Sequence, residues 1–487
     1  MSVTLTQLLG GKRVEGDIPI SGMTVDSRAV QAGDLFVALP GHSVDGRTFI
    51  PQAIDAGAAA VLTTEGIVPG GAAVPIIEDN NPRRRYAELA ARFHGSQPAT
   101  QVAVTGTNGK TSVADFTRQI WQTLGTEAAS LGTLGVRSKP IQKPGGLTTP
   151  DPMQLHAVLA ELAAAGVEYA AIEASSHGLD QYRLDGVHLS AAAFTNLTRD
   201  HMDYHKTEQG YFYAKARLFG DLLSPGAGAV INIDDSWGAV LEDIAWARGL
   251  RTLTVGRNDK ARLRIVGQEV KPNGQKLAIE FDGVGHSVFV PLVGSFQAHN
   301  ALVAAGLAII TGADPGPVFA ALEHLEGVPG RMELIGQTKR GGAVFVDYAH
   351  TPDGLRTVLT AARAHHPSKL KVVFGCGGDR DAGKRPQMGE VAAKHADQVY
   401  VTDDNPRSED AGSIRRDILV ACKGAAEIGD RGEAIAAAID SLNADEMLII
   451  AGKGHEEGQI VGEQVLPFSD IDTVKRILAN QDSSNGG

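Results

Sequence analysis

The chain has 487 residues, 43 % hydrophobic and 21 % charged, with a net charge of −12. That length exceeds one core and calls for about three domains; the acidic balance argues against general nucleic-acid binding, and no apolar run is long enough to span a bilayer. Met1–Gly10 lacks a basic start followed by an apolar core, and the only cysteines, Cys376 and Cys422, have neither ligand nor redox spacing, so a cytoplasmic protein is expected.

Residues 1–98 alternate short apolar runs with Ala-rich helical stretches. Gly33–Gly41 reads as a strand closed by Pro and Gly. Asp45 is a candidate cap for a helix with Phe49, Ala53, Ile54 and Ala56 on one face. Val61-Leu62 and Ile76-Ile77 read as strands, and Pro82 opens a connecting helix to about His94. Its Arg83-Arg84-Arg85 trio reads as a solvated face. Thr24-Val25-Asp26-Ser27-Arg28 is compatible with a plain surface turn.

Residues 99–329 carry the stretch around which the chain is organised, Val102-Ala103-Val104-Thr105-Gly106-Thr107-Asn108-Gly109-Lys110-Thr111-Ser112. A β-branched run, a Gly-containing loop and a helix read over Val113–Leu124 together make an anion site. Loop N–H groups and the helix dipole both face bound phosphate. Lys110 would act as a point charge on the β/γ-phosphates and the Thr111 hydroxyl could ligate Mg²⁺. The longer phosphate-loop pattern needs a Gly where this chain has Val104, so the match is to the shorter Gly-Thr-Asn-Gly-Lys-Thr. Val167–Ala174 reads as a buried strand ending in Glu173-Ala174-Ser175-Ser176-His177-Gly178, and a carboxylate at a strand's C-terminal end is where open α/β sheets place chemistry. Ala191–Asn196 is another strand, leading into Leu197–His205. Tyr211–Leu223 reads as a helix, where Lys215 taken alone is a solvated lysine. Residues 229–235 add a strand. Residues 262–293 alternate as a small antiparallel excursion with Asn273-Gly274 as its turn, and Gly294–Thr311 is an Ala-rich helix entered through Phe296–Asn300.

A Gly- and Pro-rich boundary at 327–331 opens a third α/β unit, residues 330–487. Its strands, read at 344–347, 372–375, 399–401 and 447–451, alternate with helices, so a mainly parallel sheet is expected. Three of them run into polar loops, Asp379-Arg380-Asp381, Asp404-Asn405-Pro406-Arg407 and Lys453-Gly454-His455-Glu456. Asn480–Gly487 reads as a disordered tail.

Together these motifs resemble the Mur ligases, ATP-dependent amide-forming enzymes of peptidoglycan precursor synthesis. The resemblance rests on the phosphate loop, Glu173–Gly178, Asn196-Leu197-Thr198-Arg199-Asp200-His201, His299-Asn300, Gly330-Arg331, Asp347-Tyr348-Ala349-His350 and Asp404–Arg407, in order over essentially the whole chain. Asp26-Ser27-Arg28 and Gly33–Ala38, with the Asp-Asn-Pro-Arg loop, are similar to the branch that adds the third peptide residue. The resemblance implies three α/β domains, each a mixed or mainly parallel sheet with flanking helices. These would be a UDP-substrate domain (1–98), a P-loop-type ATPase domain (99–329) and a Rossmann-like amino-acid domain (330–487). It implies the substrates ATP, UDP-N-acetylmuramoyl-L-alanyl-D-glutamate and meso-diaminopimelate, two Mg²⁺ ions, and a monomer without nucleic-acid or membrane partners.

Carried over by motif, Gly106, Thr107, Asn108, Gly109, Lys110, Thr111 and Ser112 hold the phosphates, Asn300 lies at the adenine side, and Arg331 and Asp347 lie near the ribose. Thr111, Glu173 and His201 are Mg²⁺ or ATP-Mg²⁺ contacts. Lys215 matches a lysine that the family carbamylates to N6-carboxylysine, a further metal ligand, and Lys110, Glu173, His201 and Lys215 form the catalytic set. Val25, Ser27, His42, Ser43 and Val44 match the UDP segment. Thr148, Thr149, Ser175, Gln181 and Arg183 match sugar-peptide contacts; Leu147 stands where the family usually has Asn, so an amide contact is lost there. Arg380, Asp404, Asn405, Pro406, Arg407, Gly452 and Glu456 match the amino-acid site.

Amide formation from a carboxylate needs activation, since hydroxide is a poor leaving group. ATP supplies it through an acyl phosphate, which the amine of the third residue attacks. Charge neutralisation and positioning are then the main tasks, and no Ser-His-Asp or Cys-His constellation is required. A lysine-adding homologue, a folylpolyglutamate synthetase-like ligase, a nucleotide-gated switch and a binding protein without catalysis are the competing readings.

Overall fold

A computed structural model describes residues 3–11, 17–41, 44–66, 73–271, 274–365 and 367–483. Its main sheets follow one another along the chain. The first has four parallel strands, Gly22–Thr24, Asp34–Val37, Ala60–Thr64 and Ile76–Asp79. Asp45 does cap the following turn, but the inward residues are Ile50 and Ala53, while Ala56 ends the helix exposed. The helix Pro82–His94 leads out of this sheet. Of its arginine trio Arg84 is exposed, as expected, although 3.5 Å from Asp185, while Arg83 donates to the Pro40 carbonyl and Arg85 pairs with Asp79 at 3.1 Å.

The central sheet has eleven strands. Its parallel middle places Thr100–Thr105 between Tyr169–Glu173 and Leu189–Phe194, followed by Gly228–Asn232 and Arg251–Gly256. Val102, Ala103 and Val104 are fully buried because helices cover both faces. Helices Lys110–Thr123 and Ser295–Ile310 pack on one side through Val113, Phe116, Ile120 and Leu302, while Leu155, Leu159 and Phe212 fill the other. The antiparallel strands Leu263–Lys271, Gly274–Phe281 and Val284–Val290 extend this same sheet instead of standing apart. Asn273 of the expected turn lies outside the described residues.

The third sheet has six strands, five parallel and one antiparallel at the edge, Glu333–Gln337. A hairpin absent from the sequence reading, Gly458–Val461 with Gln464–Pro467, follows it. The expected disordered tail is helical as far as Ser483, because Asp470–Ser483 packs Val474 and Ile477 onto the sheet; residues 484–487 lie outside the described part.

Candidate active site

The helix Lys110–Thr123 begins as soon as the chain leaves Gly109, whose φ of +88° only glycine adopts without strain. A Cβ on Gly109 would stand 2.5 Å from Asn300 Oδ1, and one on Gly106 would collide with the Thr195 hydroxyl. The loop is thus a cradle without side chains, supported from outside. Thr107 N donates to the Asn196 carbonyl (2.8 Å), and Thr195 Oγ1 donates to the Asn108 carbonyl (2.6 Å). Lys110 folds back onto the carbonyls of Gly106 (2.9 Å) and Thr107 (2.8 Å), and burial holds its ammonium below the usual lysine range.

Glu173 reaches this loop from the next strand. It accepts from Thr111 Oγ1 (2.9 Å), the Thr133 N–H (2.8 Å) and the Thr133 hydroxyl (3.2 Å), while burial raises its carboxyl. Arg331, from beyond the central sheet, donates to Thr111 Oγ1 at 3.2 Å and stacks over Tyr348 at 4.3 Å, so it lies against the phosphate loop. Asp347 receives the N–H groups of Met332 (2.6 Å) and Ala349 (2.7 Å), and burial pushes it up to about 6. These groups, with Asn300, line a cavity of about 410 Å³.

Lys215 is 1 % exposed, contrary to the solvated lysine that its sequence context alone suggests. Its ammonium donates to the Gly106 carbonyl at 2.8 Å and lies 4.3 Å from the Tyr211 ring centroid. Burial, reinforced by Lys110, drives its pKa well below the ordinary value. His201, with φ of +54°, stands beside Asp200 at 3.4 Å and 4.8 Å from the His177 ring, and burial brings it down to about 4.

A second cavity of about 440 Å³ abuts the first. The loops after three strands of the third sheet meet there, bringing Arg380, Asp404, Asn405, Arg407, Gly452 and Glu456 together; Pro406 is in the same loop but does not line it. Asn405 Oδ1 accepts from Lys453 Nζ (2.9 Å) and the Ile460 N–H (3.0 Å), and its amide donates to Glu456 (3.1 Å). Lys453, fully buried and 3.1 Å from Glu456, supports this ring from behind, and a Gly-flanked lysine gives no hint of that burial in the sequence. Arg407 sits at φ +52° and donates to the Gly378 carbonyl at 2.7 Å. Asp200, His201, Tyr348, His350 and Asp353 line both cavities.

Of the remaining candidates, Thr148 lines the phosphate cavity and the other described ones do not. Thr149 is buried, its hydroxyl donating to the Glu173 carbonyl (2.8 Å), and Ser175 caps the helix Ser176–Asp180. Thr148 faces Thr133 at 3.1 Å, and Arg183 donates to Gln181 at 2.7 Å and to the Thr149 carbonyl at 2.6 Å. Leu147 is exposed. Val25 and Val44 are exposed and Ser27 half-buried on the first sheet's loops, whereas His42 and Ser43 fall outside the described residues.

Comparison with known proteins bears on what this arrangement is for. Profiles described as "Mur ligase family, catalytic domain", "Mur ligase middle domain" and "Mur ligase, glutamate ligase domain" match residues 19–94, 104–308 and 330–454. A curated protein of Bradyrhizobium diazoefficiens named UDP-N-acetylmuramoyl-L-alanyl-D-glutamate–2,6-diaminopimelate ligase is 55 % identical over 95 % of this chain and 96 % of its own. The chain belongs to the Mur ligase family. It is accordingly an ATP-dependent, amide-forming ligase of peptidoglycan precursor synthesis. A Caulobacter vibrioides protein of the same name is 52 % identical over 96 % of this chain and 97 % of its own. A solved structure with that name aligns at a TM-score of 0.72 and 33 % identity, covering 99 % of this chain and 100 % of the other. A Mycobacterium tuberculosis folylpolyglutamate synthase aligns at 0.62 and 22 % identity over 76 % of this chain and 92 % of its own, a likeness of fold alone. No helix among the described residues of this Mur ligase is long and apolar enough to cross a membrane.

Proposed function

We propose that this Mur ligase adds meso-2,6-diaminopimelate to the D-glutamate γ-carboxylate of UDP-N-acetylmuramoyl-L-alanyl-D-glutamate, in the cytoplasm and as a monomer, with boundaries near residues 98 and 329 dividing its three domains. The observation that carries the reading is the seam between two cavities, one floored by the phosphate loop and the other ringed by Arg380, Arg407, Asp404 and Glu456. A carboxylate activated in the first would be open to an amine held in the second.

Lys110 and Arg331 supply cations toward the transferring phosphoryl group, which repels the attacking carboxylate until neutralised. Thr111 and Glu173 present hard oxygen donors to the same cavity, and a Cβ on Gly132 would collide with Glu173, so this end of the cavity is built around the carboxylate. Such a donor set fits Mg²⁺. Thr111, Glu173, His201 and a carbamylated Lys215 are the residues that would hold it. When bound, Mg²⁺ would screen the phosphate charges. Carbamylation needs a neutral amine, and the burial of Lys215 favours that form. Gln181 and Arg183 are assigned to the sugar-peptide.

The test is phosphate release from ATP with the UDP-dipeptide and a panel of amino acids. Diaminopimelate should support turnover and lysine should not. Preference for lysine, or for glutamate on a folate acceptor, would replace this reading.

A further inference from the structure

Resting on the proposed reading, one step still lacks an owner: the incoming amine arrives as an ammonium and must lose protons to become an amide. The acceptor has to stand where the two cavities meet, which restricts it to the shared lining. Asp353 is taken up by an ion pair with Arg356. His201 belongs to the proposed metal set. Asp200 is already engaged, accepting from the His201 N–H at 2.8 Å and lying 3.4 Å from its ring nitrogen. Tyr348 is pushed up to about 12 by burial, so it is a phenol with its own proton and no acceptor for another.

His350 remains, and its geometry suits the task. It follows the strand Ala343–Asp347 and precedes the helix Pro352–Arg363. Lys384 Nζ holds its carbonyl at 2.8 Å, and the Thr351 cap fixes the next residue. Its Nδ1 lies 2.9 Å from the Tyr348 carbonyl, which can only accept, so Nδ1 carries the proton and Nε2 keeps a lone pair. Burial, helped by Lys384, keeps the ring below the ordinary imidazole range and therefore neutral at pH 7.5, while Asp200, the Tyr348 carbonyl and Asp404 favour the imidazolium.

We propose that His350 is the general base that deprotonates the attacking amine. One ammonium proton passes to Nε2, and the freed nitrogen pair forms the C–N bond at the acyl carbon. Collapse of the tetrahedral intermediate breaks the C–O bond to phosphate. The second nitrogen proton leaves with the phosphate, and His350 returns its own to water.

The experiment separates activation from amine attack in His350→Gln. With ATP, Mg²⁺ and the UDP-dipeptide but no amine, borohydride trapping of the acyl phosphate should match wild type. Ligation of diaminopimelate should fall by roughly 10²–10⁴-fold. Hydroxylamine, a neutral nucleophile at pH 7.5 that needs no base, should still form hydroxamate at the wild-type rate, and added imidazole should restore part of the ligation by His350→Ala. Wild-type ligation by His350→Gln, or equal losses in trapping and ligation, overturns the assignment. If the variants fail to fold, wild-type pH–rate profiles decide: the acidic limb should be present with diaminopimelate and absent with hydroxylamine, and a limb common to both overturns it. Failure of wild type itself to form an acyl phosphate would instead sink the ligase reading.

Discussion

Lys215 shows how far a single residue can be read. Its motif pointed to carbamylation, yet its local sequence, a lysine in a helix beside Tyr213 and Arg217, gave no physical reason for it. The reason is tertiary: the helix Glu208–Arg217 lies under the phosphate loop, and the side chain finds the Gly106 carbonyl in an interior that disfavours the ammonium. The Lys215→Ala variant should therefore be folded and lose at least about 10²-fold in kcat, the scale of losing one preorganised electrostatic group. Short carboxylates such as formate should return part of that activity by filling the vacated space with anionic oxygen. Lys215→Arg should be as inactive as the alanine variant and resist rescue, because the guanidinium stays charged and fills the space. Full activity in either, measured as ADP formation, would make Lys215 a purely structural donor to Gly106. Thr149, matched by motif to a sugar-peptide contact, is legible in another way: its buried hydroxyl donates to the Glu173 carbonyl and lies 3.1 Å from the Ser175 hydroxyl.

Among elements, the Asp404–Arg407 loop was legible as a strand-end loop bearing a fork for a carboxylate, but the source of its rigidity was not. Proline was the visible stiffener. In the structure Arg407 is clamped by a hairpin instead, its N–H donating to Ile460 (3.0 Å) and its carbonyl accepting from Gly462 (2.7 Å), with the side chain tied to Gly378. Long-range backbone pairing of this kind leaves no local pattern in the sequence. Glu456 likewise is paired with Lys453 at 3.1 Å, so in the proposed reading the extra carboxylate of diaminopimelate should govern selection more than its distal amine. Arg407→Ala should lose about 2–5 kcal/mol of diaminopimelate recognition, roughly thirtyfold to several-thousandfold in kcat/KM, and discriminate poorly against lysine; unchanged selectivity in competition assays would refute this. A second pair of elements predicts pH behaviour. His156, on the helix Pro152–Ala164, packs toward the helix Pro82–His94 with both ring nitrogens unpaired, and burial, with His94 and His188 nearby, brings it down to about 4. The unfolded chain binds the proton more readily, so stability holds above pH 6.5 and is lost as pH falls from there toward 4, by roughly 3 kcal/mol at the limit. His156→Met should flatten that loss in urea titrations at pH 7.5 and 5; an unchanged difference would place the acid sensitivity elsewhere.

At the scale of the molecule, the order of three α/β units was legible because strand, polar loop and helix recur with a Gly-Pro break near Val328, where the third sheet's first strand follows at Glu333. The motifs already imply that residues from both sides of that break meet the nucleotide, but local patterns could not show the bond that joins them. Arg331 and Asp347 stand far from Thr111 in the chain, yet Arg331 donates to the Thr111 hydroxyl, and Phe296 of the central helix packs onto the third unit's core. A nucleotide seated there should therefore stabilise both units together. Ligand at a hundred times its Kd adds about 2.7 kcal/mol to whatever unfolds with the site. In wild type, calorimetry with Mg²⁺ and a non-hydrolysable ATP analogue should move the central and C-terminal transitions upward in concert. Arg331→Ala removes the one side chain that, among the described residues, bonds across the break to the phosphate loop, while Lys110 and the loop N–H groups stay intact. The analogue should then bind more weakly and raise the central transition alone. Joint movement in the variant, equal to wild type, would mean that the two units are coupled by packing around Phe296 and not through Arg331.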